Sequence, residues 1–338
     1  MTNNFMKNHP FLFMGTLFLF LVLAILVCLN TGAATITPGQ VFQTFIGNGG
    51  EKNALILFEF RLPRIVIAIL VGAGLAVSGA ILQSITKNDI AEPGIVGINA
   101  GAGLAVVLFI FFFQGSIAEL GGISTYFLPA AALAGALSAA ILIYIFAWKQ
   151  GIAPVRLILV GIGVNSGFNA ILIIIQLKMD PQDFSQAITW LSGSIWGSDW
   201  SYVLAILPWI FVLIPLAFLK ASSLDIIHMG DEVAAGLGIH VEKERAIMLL
   251  VAVALAGACV SVAGNIAFLG LVAPHLVRRI IGPKHQYLLP ASALMGALLL
   301  LIADTVGKNL LAPSEIPVGI VVSALGAPYF IYLLLKTN

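Results

Sequence analysis

Apolar stretches of about the length of a membrane-spanning helix alternate with shorter polar stretches along the chain. A transmembrane helix needs about 20 consecutive, mostly apolar residues. Ten stretches meet or approach this requirement: 11–29, 64–85, 94–113, 126–148, 155–177, 202–219, 246–263, 266–281, 286–306 and 316–335. The eighth is the shortest, and its uninterrupted apolar part, 266–277, contains Pro274 and His275. A run that short suits a re-entrant segment as well as a crossing helix.

The composition supports a membrane protein. Hydrophobic residues make up 60% of the 338 residues and charged residues only 9%, with a mean hydropathy of +1.07. Soluble domains carry about 25% charged residues. We therefore predict an all-α, polytopic membrane protein, and no boundary divides 1–338 into two domains. The net charge of +1 gives no basis for a nucleic-acid partner. Cys28 and Cys259 lie in apolar runs, where we expect small core residues rather than a disulfide or a metal pair.

The positions of the basic residues favour ten crossings. If all ten segments cross and the N-terminus is cytoplasmic, eleven of the 16 Lys and Arg residues lie in the cytoplasm and five lie outside. If the eighth segment does not cross, the division becomes eight and eight. Cytoplasmic loops of membrane proteins carry an excess of Lys and Arg. The sequence therefore predicts ten crossings with both termini in the cytoplasm.

The same topology places a polar stretch, 224–245, in the cytoplasm. It holds five of the chain's 15 acidic residues. We predict that Asp231 caps a short helix and that Gly236 and Gly238 end it. A solvated loop and a docking surface for a cytoplasmic partner both fit this composition.

Polar side chains are rare within the predicted spans; they are Gln83, Asn99, Asn165, Asn169 and Asp304. Asn165 and Asn169 are four residues apart on one helix face, which fits either interhelical hydrogen bonds or a polar strip along a translocation path. Asp304 lies near the outer end of its span, where an i,i+4 pair with Lys308 explains it. Ion-coupled carriers usually keep ionisable residues deep in the membrane. The pattern therefore argues against a proton- or sodium-driven carrier and favours energy supplied from elsewhere.

Motifs for bond chemistry are missing from the sequence. It contains no HExxH, no GxSxG, no GxxxxGK[ST] phosphate loop and no Cys/His cluster with metal-ligand spacing. We therefore predict no catalytic residue, no metal site and no cofactor.

Three of the five bases predicted to lie outside are Arg61, Arg64 and Lys308. Arg61 and Arg64 flank a proline at the predicted start of the second span. One explanation is membrane anchoring through snorkelling side chains. A helix N-terminus disfavours cations, however, so a second explanation is an acidic partner that forms charge-assisted pairs with them.

Six stretches of the chain resemble the permease subunits of the FecCD-type family, the ATP-binding cassette (ABC) importers of iron–siderophore complexes, haem and cobalamin. They are RLPR from Arg61, GAGLAVSGAILQSITKNDIAEPGIVGINAGAGLA from Gly72, LILVGIGVNSG from Leu157, GDEVAAGLGI from Gly230, FLGLVAPHLVRR from Phe268 and EIPVGIVVSALGAPYFIYLLL from Glu315. Together they run nearly from end to end. One departure is Asp89, where the family usually has proline, so we expect the turn at this point to differ.

This resemblance implies a type II ABC importer permease with ten helices in the bacterial cytoplasmic membrane. The implied partners are a second permease subunit (a paralogue, with a second copy of this chain as the alternative), two ABC ATPase subunits, and an extracytoplasmic substrate-binding lipoprotein. The resemblance assigns binding-protein docking to Arg61, Arg64 and Lys308, and the translocation path to Asn165 and Asn169. It places ATPase coupling on Gly230, Asp231, Glu232, Ala235, Gly236, Leu237, Gly238 and Ile239.

The expected substrate is a ferric siderophore, because 178–190 and 99–105 are most similar to the siderophore branch of Gram-positive bacteria. Permeases for cobalamin or haem within the same family are the alternative. A secondary carrier is a further alternative, which dependence on an ion gradient without an ATPase partner would favour.

Overall fold

A computed structural model describes residues 6–32, 36–94, 97–117, 124–148 and 154–336. Lys149, one of the bases predicted to be cytoplasmic, lies outside these residues. The helices are α1 Pro10–Asn30, α2 Pro38–Phe45, α3 Gly50–Ala54, a π-helical segment Leu55–Arg61, α4 Leu62–Thr86, α5 Ile98–Ile117, α6 Ser124–Ala147, α7 Pro154–Gln176, α8 Pro181–Leu191, α9 Trp200–Leu219, α10 Ala221–Met229, α11 Asp231–Gly236, α12 Val241–Ala263, α13 Leu269–Ile281, α14 His285–Leu310 and α15 Val318–Lys336.

Each of the ten predicted segments contains a helix; these are α1, α4, α5, α6, α7, α9, α12, α13, α14 and α15. Seven helical runs within the described residues are long and apolar enough to cross a membrane. Large apolar side chains such as Phe18, Leu159 and Phe211 are 58% to 68% exposed on the outside of the bundle. Such a surface suits lipid, which is as apolar as these side chains. The all-α, polytopic prediction is confirmed.

Helices α4 and α14 pack along each other at backbone distance. A Cβ atom on Gly72 would lie 2.5 Å from the Gly296 carbonyl oxygen, and one on Gly296 would lie 2.2 Å from the Gly72 oxygen. A second close contact lies at Gly101 of α5, where a Cβ atom would meet the Gly135 oxygen of α6 at 2.5 Å. Lipid provides no hydrophobic drive between helices, so such contacts between small residues are a main source of packing energy in a membrane.

The chain just before the second predicted span, 64–85, is also helical. Helix α3 runs through the π-helical segment directly into α4. Within it, Leu62 donates its N–H to the Leu57 oxygen, which is a five-residue step. A π turn of this kind adjusts the hydrogen-bond register just ahead of Pro63, which has no N–H to donate. Arg61 and Arg64 therefore lie inside a continuous helical run, and the helix-start argument for an acidic partner does not apply to them.

A further helix, α8, lies between the predicted spans 155–177 and 202–219. Pro181 occupies its first turn, where the missing N–H costs nothing. After α8, Trp200 of α9 donates its indole N–H to the Phe58 oxygen at 2.8 Å. This hydrogen bond connects α9 to the π-helical segment that precedes α4.

Helix α13, the doubtful eighth segment, has only 13 residues. At 1.5 Å per residue it is about 20 Å long, which is shorter than the roughly 30 Å of the hydrocarbon layer. The non-helical residues before it are held by neighbouring elements, because Asn99 donates to the Asn265 side chain at 2.6 Å. Irregular backbone of this kind is tolerated at membrane depth when protein surrounds it.

Candidate functional site

Arg64 lies at the centre of a charged cluster at the end of the bundle where α4 begins. Its Nε is 3.0 Å from both carboxylate oxygens of Asp304, and its Nη2 is 2.8 Å from Asp304 Oδ1. On the other side, its Nη1 is 2.8 Å from Glu315 Oε2. The Asp304 side chain is 2% exposed and the Glu315 side chain 29%. Asp304 therefore pairs with Arg64, and our explanation of Asp304 through a local pair with Lys308 is wrong.

Lys308 and Arg61 lie beside this pair and bond to the end of α1. Lys308 is 9% exposed, and its Nζ is 3.3 Å from the Cys28 oxygen and 3.1 Å from the Cys28 Sγ. Arg61 donates from Nη1 to the Leu29 oxygen. One cavity of about 200 Å³ is lined by all three predicted docking bases together with Glu315. The structure thus brings Arg61, Arg64 and Lys308 to one place.

Sequence reasoning did not connect the two acidic residues of this cluster, Asp304 and Glu315, to Arg64. Glu315 begins one of the six stretches that carry the resemblance, but nothing in its local pattern shows that it returns to Arg64. Asp304 and Arg64 are 240 residues apart in the chain. Only the packing of α4 against α14 makes them neighbours.

At the opposite end of the bundle, Asp231 joins three elements. Its carboxylate is 2.8 Å from Lys87 Nζ, after α4, and 2.9 Å and 3.0 Å from Arg245 Nη2 in α12. Burial opposes ionisation, but the hydrogen bonds from Lys87 and Arg245 outweigh it and hold the pKa of Asp231 below its ordinary value. The N-cap of α11 is Gly230, and no side chain caps it. Our prediction that Asp231 is the cap is therefore wrong, because its carboxylate is taken by the two bases.

The remaining residues assigned to coupling present an accessible surface. Those that are exposed are Glu232, Ala235, Gly236, Leu237 and Gly238, whereas Gly230 and Ile239 are partly buried. Leu237 is 63% and Val233 48% exposed, which leaves an apolar face beside the charged one. Gly238 has a φ of 81°, so the helix ends in a conformation that suits glycine, as predicted.

Asp89, the departure from the family pattern, also lies at this end. Its carboxylate accepts a hydrogen bond from Arg278 of α13. A proline at this position could not make that contact.

The two asparagines assigned to the translocation path lie on α7. Asn169 donates to the Asn165 carbonyl oxygen at 2.9 Å and to its side-chain oxygen at 3.0 Å, and both bonds lie within one helix. A Cβ atom at Gly163 or Gly167 would meet nothing within 4 Å. The four-residue spacing of Gly163 and Gly167 is typical of close helix contact, but no such contact is made within the described part of this chain. Helix α7 therefore presents an open face of small and polar residues.

Within the residues that the structure describes, no three His, Cys, Asp or Glu side chains come together as a metal site. Cys28 and Cys259 are both free and buried, in agreement with their predicted place in the core. A helical bundle with a lipid-facing surface and ion-pair clusters at its two ends defines a multi-pass membrane protein.

Comparison with known proteins specifies this class further. The model of the FecCD transport family matches residues 20–336, so the chain belongs to the FecCD transport family. It is 59% identical over 331 residues to the iron(3+)-hydroxamate import system permease protein FhuG of Bacillus subtilis, covering 98% of each chain. It is 45% identical to the iron-uptake system permease protein FeuC of the same organism, covering 94% of this chain and 96% of that one.

A solved structure gives the same result for the fold. A metal-chelate type ABC transporter in an inward-facing conformation matches with a TM-score of 0.84 and 29% identity, covering 96% of this chain and 98% of that one. The protein is therefore the permease component of an ABC importer and not an enzyme, since ATP is hydrolysed on a separate subunit.

Proposed function

We propose that this permease carries ferric hydroxamate siderophores across the bacterial cytoplasmic membrane. The observation that supports the proposal most is the 59% identity, over 98% of both chains, to a permease named for iron(3+)-hydroxamate import. Relatives at lower identity are named for other iron chelates, including ferric citrate at 42%. The shared feature is a chelated ferric ion.

The proposed orientation has both termini and α11 in the cytoplasm. The excess of Lys and Arg on that side supports it. A cysteine introduced at Glu232, which is exposed, would then react with a membrane-impermeant maleimide only after the membrane is opened. Labelling in intact cells would reverse the orientation. The native cysteines are buried and leave a low background.

The proposed partners fit three separate surfaces. An extracytoplasmic binding lipoprotein would use acidic side chains to reach the cavity lined by Arg61, Arg64 and Lys308. Each of two ATPase subunits would contact α11 of one permease subunit through its exposed apolar and acidic face. The open face of α7, with Gly163, Gly167 and Asn169, would line the path against a second permease subunit, for which we favour a paralogue.

The test is uptake of radioiron, supplied as a trihydroxamate complex, by a host that lacks its own hydroxamate permease but retains the partner subunits. We expect this chain to restore uptake, and we expect ATP depletion to abolish it. Uptake of labelled cobalamin or haem instead would assign the alternative substrates. Uptake that survives ATP depletion and stops when the ion gradient is dissipated would indicate a secondary carrier.

A further inference from the structure

Helices α4 and α14 form an antiparallel pair whose register is held at three levels. Gly72 and Gly296 meet at backbone distance in the middle. Arg64 and Asp304 each lie eight residues from these glycines towards one end, which is about 12 Å. Towards the other end, Ser84 lies twelve residues from Gly72 and bonds to His285, the first residue of α14. The pair is therefore tied at both ends over about 30 Å.

At the Ser84–His285 end, the hydrogen bonds continue into the short helix α10. His285 is 1% exposed, and both of its ring nitrogens are engaged: Nε2 with the Ser84 hydroxyl, and Nδ1 with Asp225 Oδ1 at 2.6 Å. The backbone N–H of His285 also donates to Asp225 Oδ1, at 2.9 Å. The N-cap residue of α14, Lys284, makes no side-chain hydrogen bond to the start of the helix. Asp225 thus provides, from another helix, the carboxylate that a helix N-terminus favours.

The bonds to Asp225 also favour its charged form. Burial opposes ionisation, but the hydrogen bonds from the His285 ring and backbone outweigh it and keep the pKa of Asp225 below its ordinary value. Asp225 makes two hydrogen bonds to the start of α14, of 2.9 Å and 2.6 Å. Ser222, three residues earlier in the same helix, accepts only a 3.4 Å contact from Gln286.

We infer that Asp225 is a positioning residue that carries movement of the α10–α11 segment into the α4–α14 pair, and so to Arg64 and Asp304 at the far end. This inference rests on the proposed docking of an ATPase on α11. A force applied there reaches α14 through the Asp225–His285 contact and α4 through Ser84. Because the glycine contact and the Arg64–Asp304 pair resist sliding of one helix along the other, the two helices move together.

The experiment uses the complete importer in lipid vesicles with Asp225→Ala, and with Ser222→Ala as the matched control on the same helix. ATPase subunits should still copurify with Asp225→Ala, and basal ATP hydrolysis should continue. Substrate moved per ATP should fall about fivefold or more, the size typical of a lost coupling contact. Ser222→Ala should match the parent. An unchanged transport-to-ATP ratio in Asp225→Ala would overturn the inference.

A second readout does not depend on the substrate. Spin labels at Leu311→Cys and Leu177→Cys occupy exposed positions near the Arg64 end. In the parent, ATP should change the distance between them, and Asp225→Ala should abolish that change. If the parent moves no hydroxamate but shows the change, the proposed substrate fails and the inference stands. If the variant keeps the change, the inference fails whatever the substrate is.

Asp225→Asn covers the case in which the alanine variant does not assemble, since it removes the charge but keeps an acceptor. We expect it to lower the transport-to-ATP ratio by about twofold, with thermal stability close to the parent. A ratio equal to the parent would again overturn the inference.

Discussion

Arg64 and Asp304 form a bidentate ion pair across the α4–α14 interface, and Glu315 binds the opposite side of the same guanidinium. The two carboxylates differ in exposure: Asp304 is 2% exposed and Glu315 is 29%. Asp304 is a fixed structural partner, whereas Glu315 occupies the side of Arg64 that an incoming acidic protein would use. In the proposed docking, an acidic side chain of the binding protein would have to displace Glu315 from Arg64.

The first prediction concerns Glu315→Gln. Removing this charge frees Arg64 on its outer side, so the binding protein should bind about threefold to tenfold more tightly, mainly through faster association. Affinity can be measured between the binding protein and the importer in nanodiscs. Glu51→Gln, an exposed acid ahead of α4, is the control and should have little effect. Weaker or unchanged binding by Glu315→Gln would show that Glu315 does not compete for Arg64.

The second prediction concerns the buried pair itself. Asp304→Asn leaves a guanidinium without its buried partner, so the free energy of unfolding should fall by about 3 kcal/mol. A double-mutant cycle with Arg64→Gln measures the coupling, and the double variant should be less destabilised than the two single losses added together. Additive losses would mean that the two side chains do not stabilise the fold as a pair. Thermal unfolding of the detergent-purified complex gives the comparison.

The third prediction concerns the exposed surface at α11. Gly236→Leu adds bulk where a Cβ atom meets nothing within 4 Å, so the chain itself should fold normally. We expect it to obstruct the ATPase contact and to lower transport about tenfold, as for bulk added at an interface core. Gly238 is a poorer choice, because its φ of 81° makes any substitution strained. Gly39→Leu is the control, because a Cβ atom at Gly39 of α2 also meets nothing within 4 Å. Equal transport by both variants would show that α11 does not contact the ATPase.

The fourth prediction concerns pH. The pKa of Asp231 is lowered in the fold, so its contribution to stability is complete above its ordinary value of 3.8 and is lost as the pH falls through the lower folded value. The difference in melting temperature between the parent and Asp231→Asn should therefore stay constant from about pH 8 to pH 5 and shrink below about pH 4. A difference that shrinks between pH 7 and pH 5 would contradict the ion pairs with Lys87 and Arg245.

The helices of this protein were largely predictable, because each crossing must satisfy its own backbone hydrogen bonds and face lipid. A local run of apolar residues therefore suffices to place α1 or α7 within one or two residues. The same argument did not predict the helix between residues 50 and 61, where a π turn lets a helix continue into Pro63. It also did not predict α8, which lies between two predicted spans.

The sequence by itself determined the fold class, the family and the grouping of polar residues at the two ends. It could not show which polar side chains form pairs with one another. Arg64 with Asp304, Asp231 with Lys87 and Asp225 with His285 are separated by 60 to 240 residues. Only tertiary packing decides such pairs, since the register of α4 against α14 is set by where two glycines allow the backbones to touch.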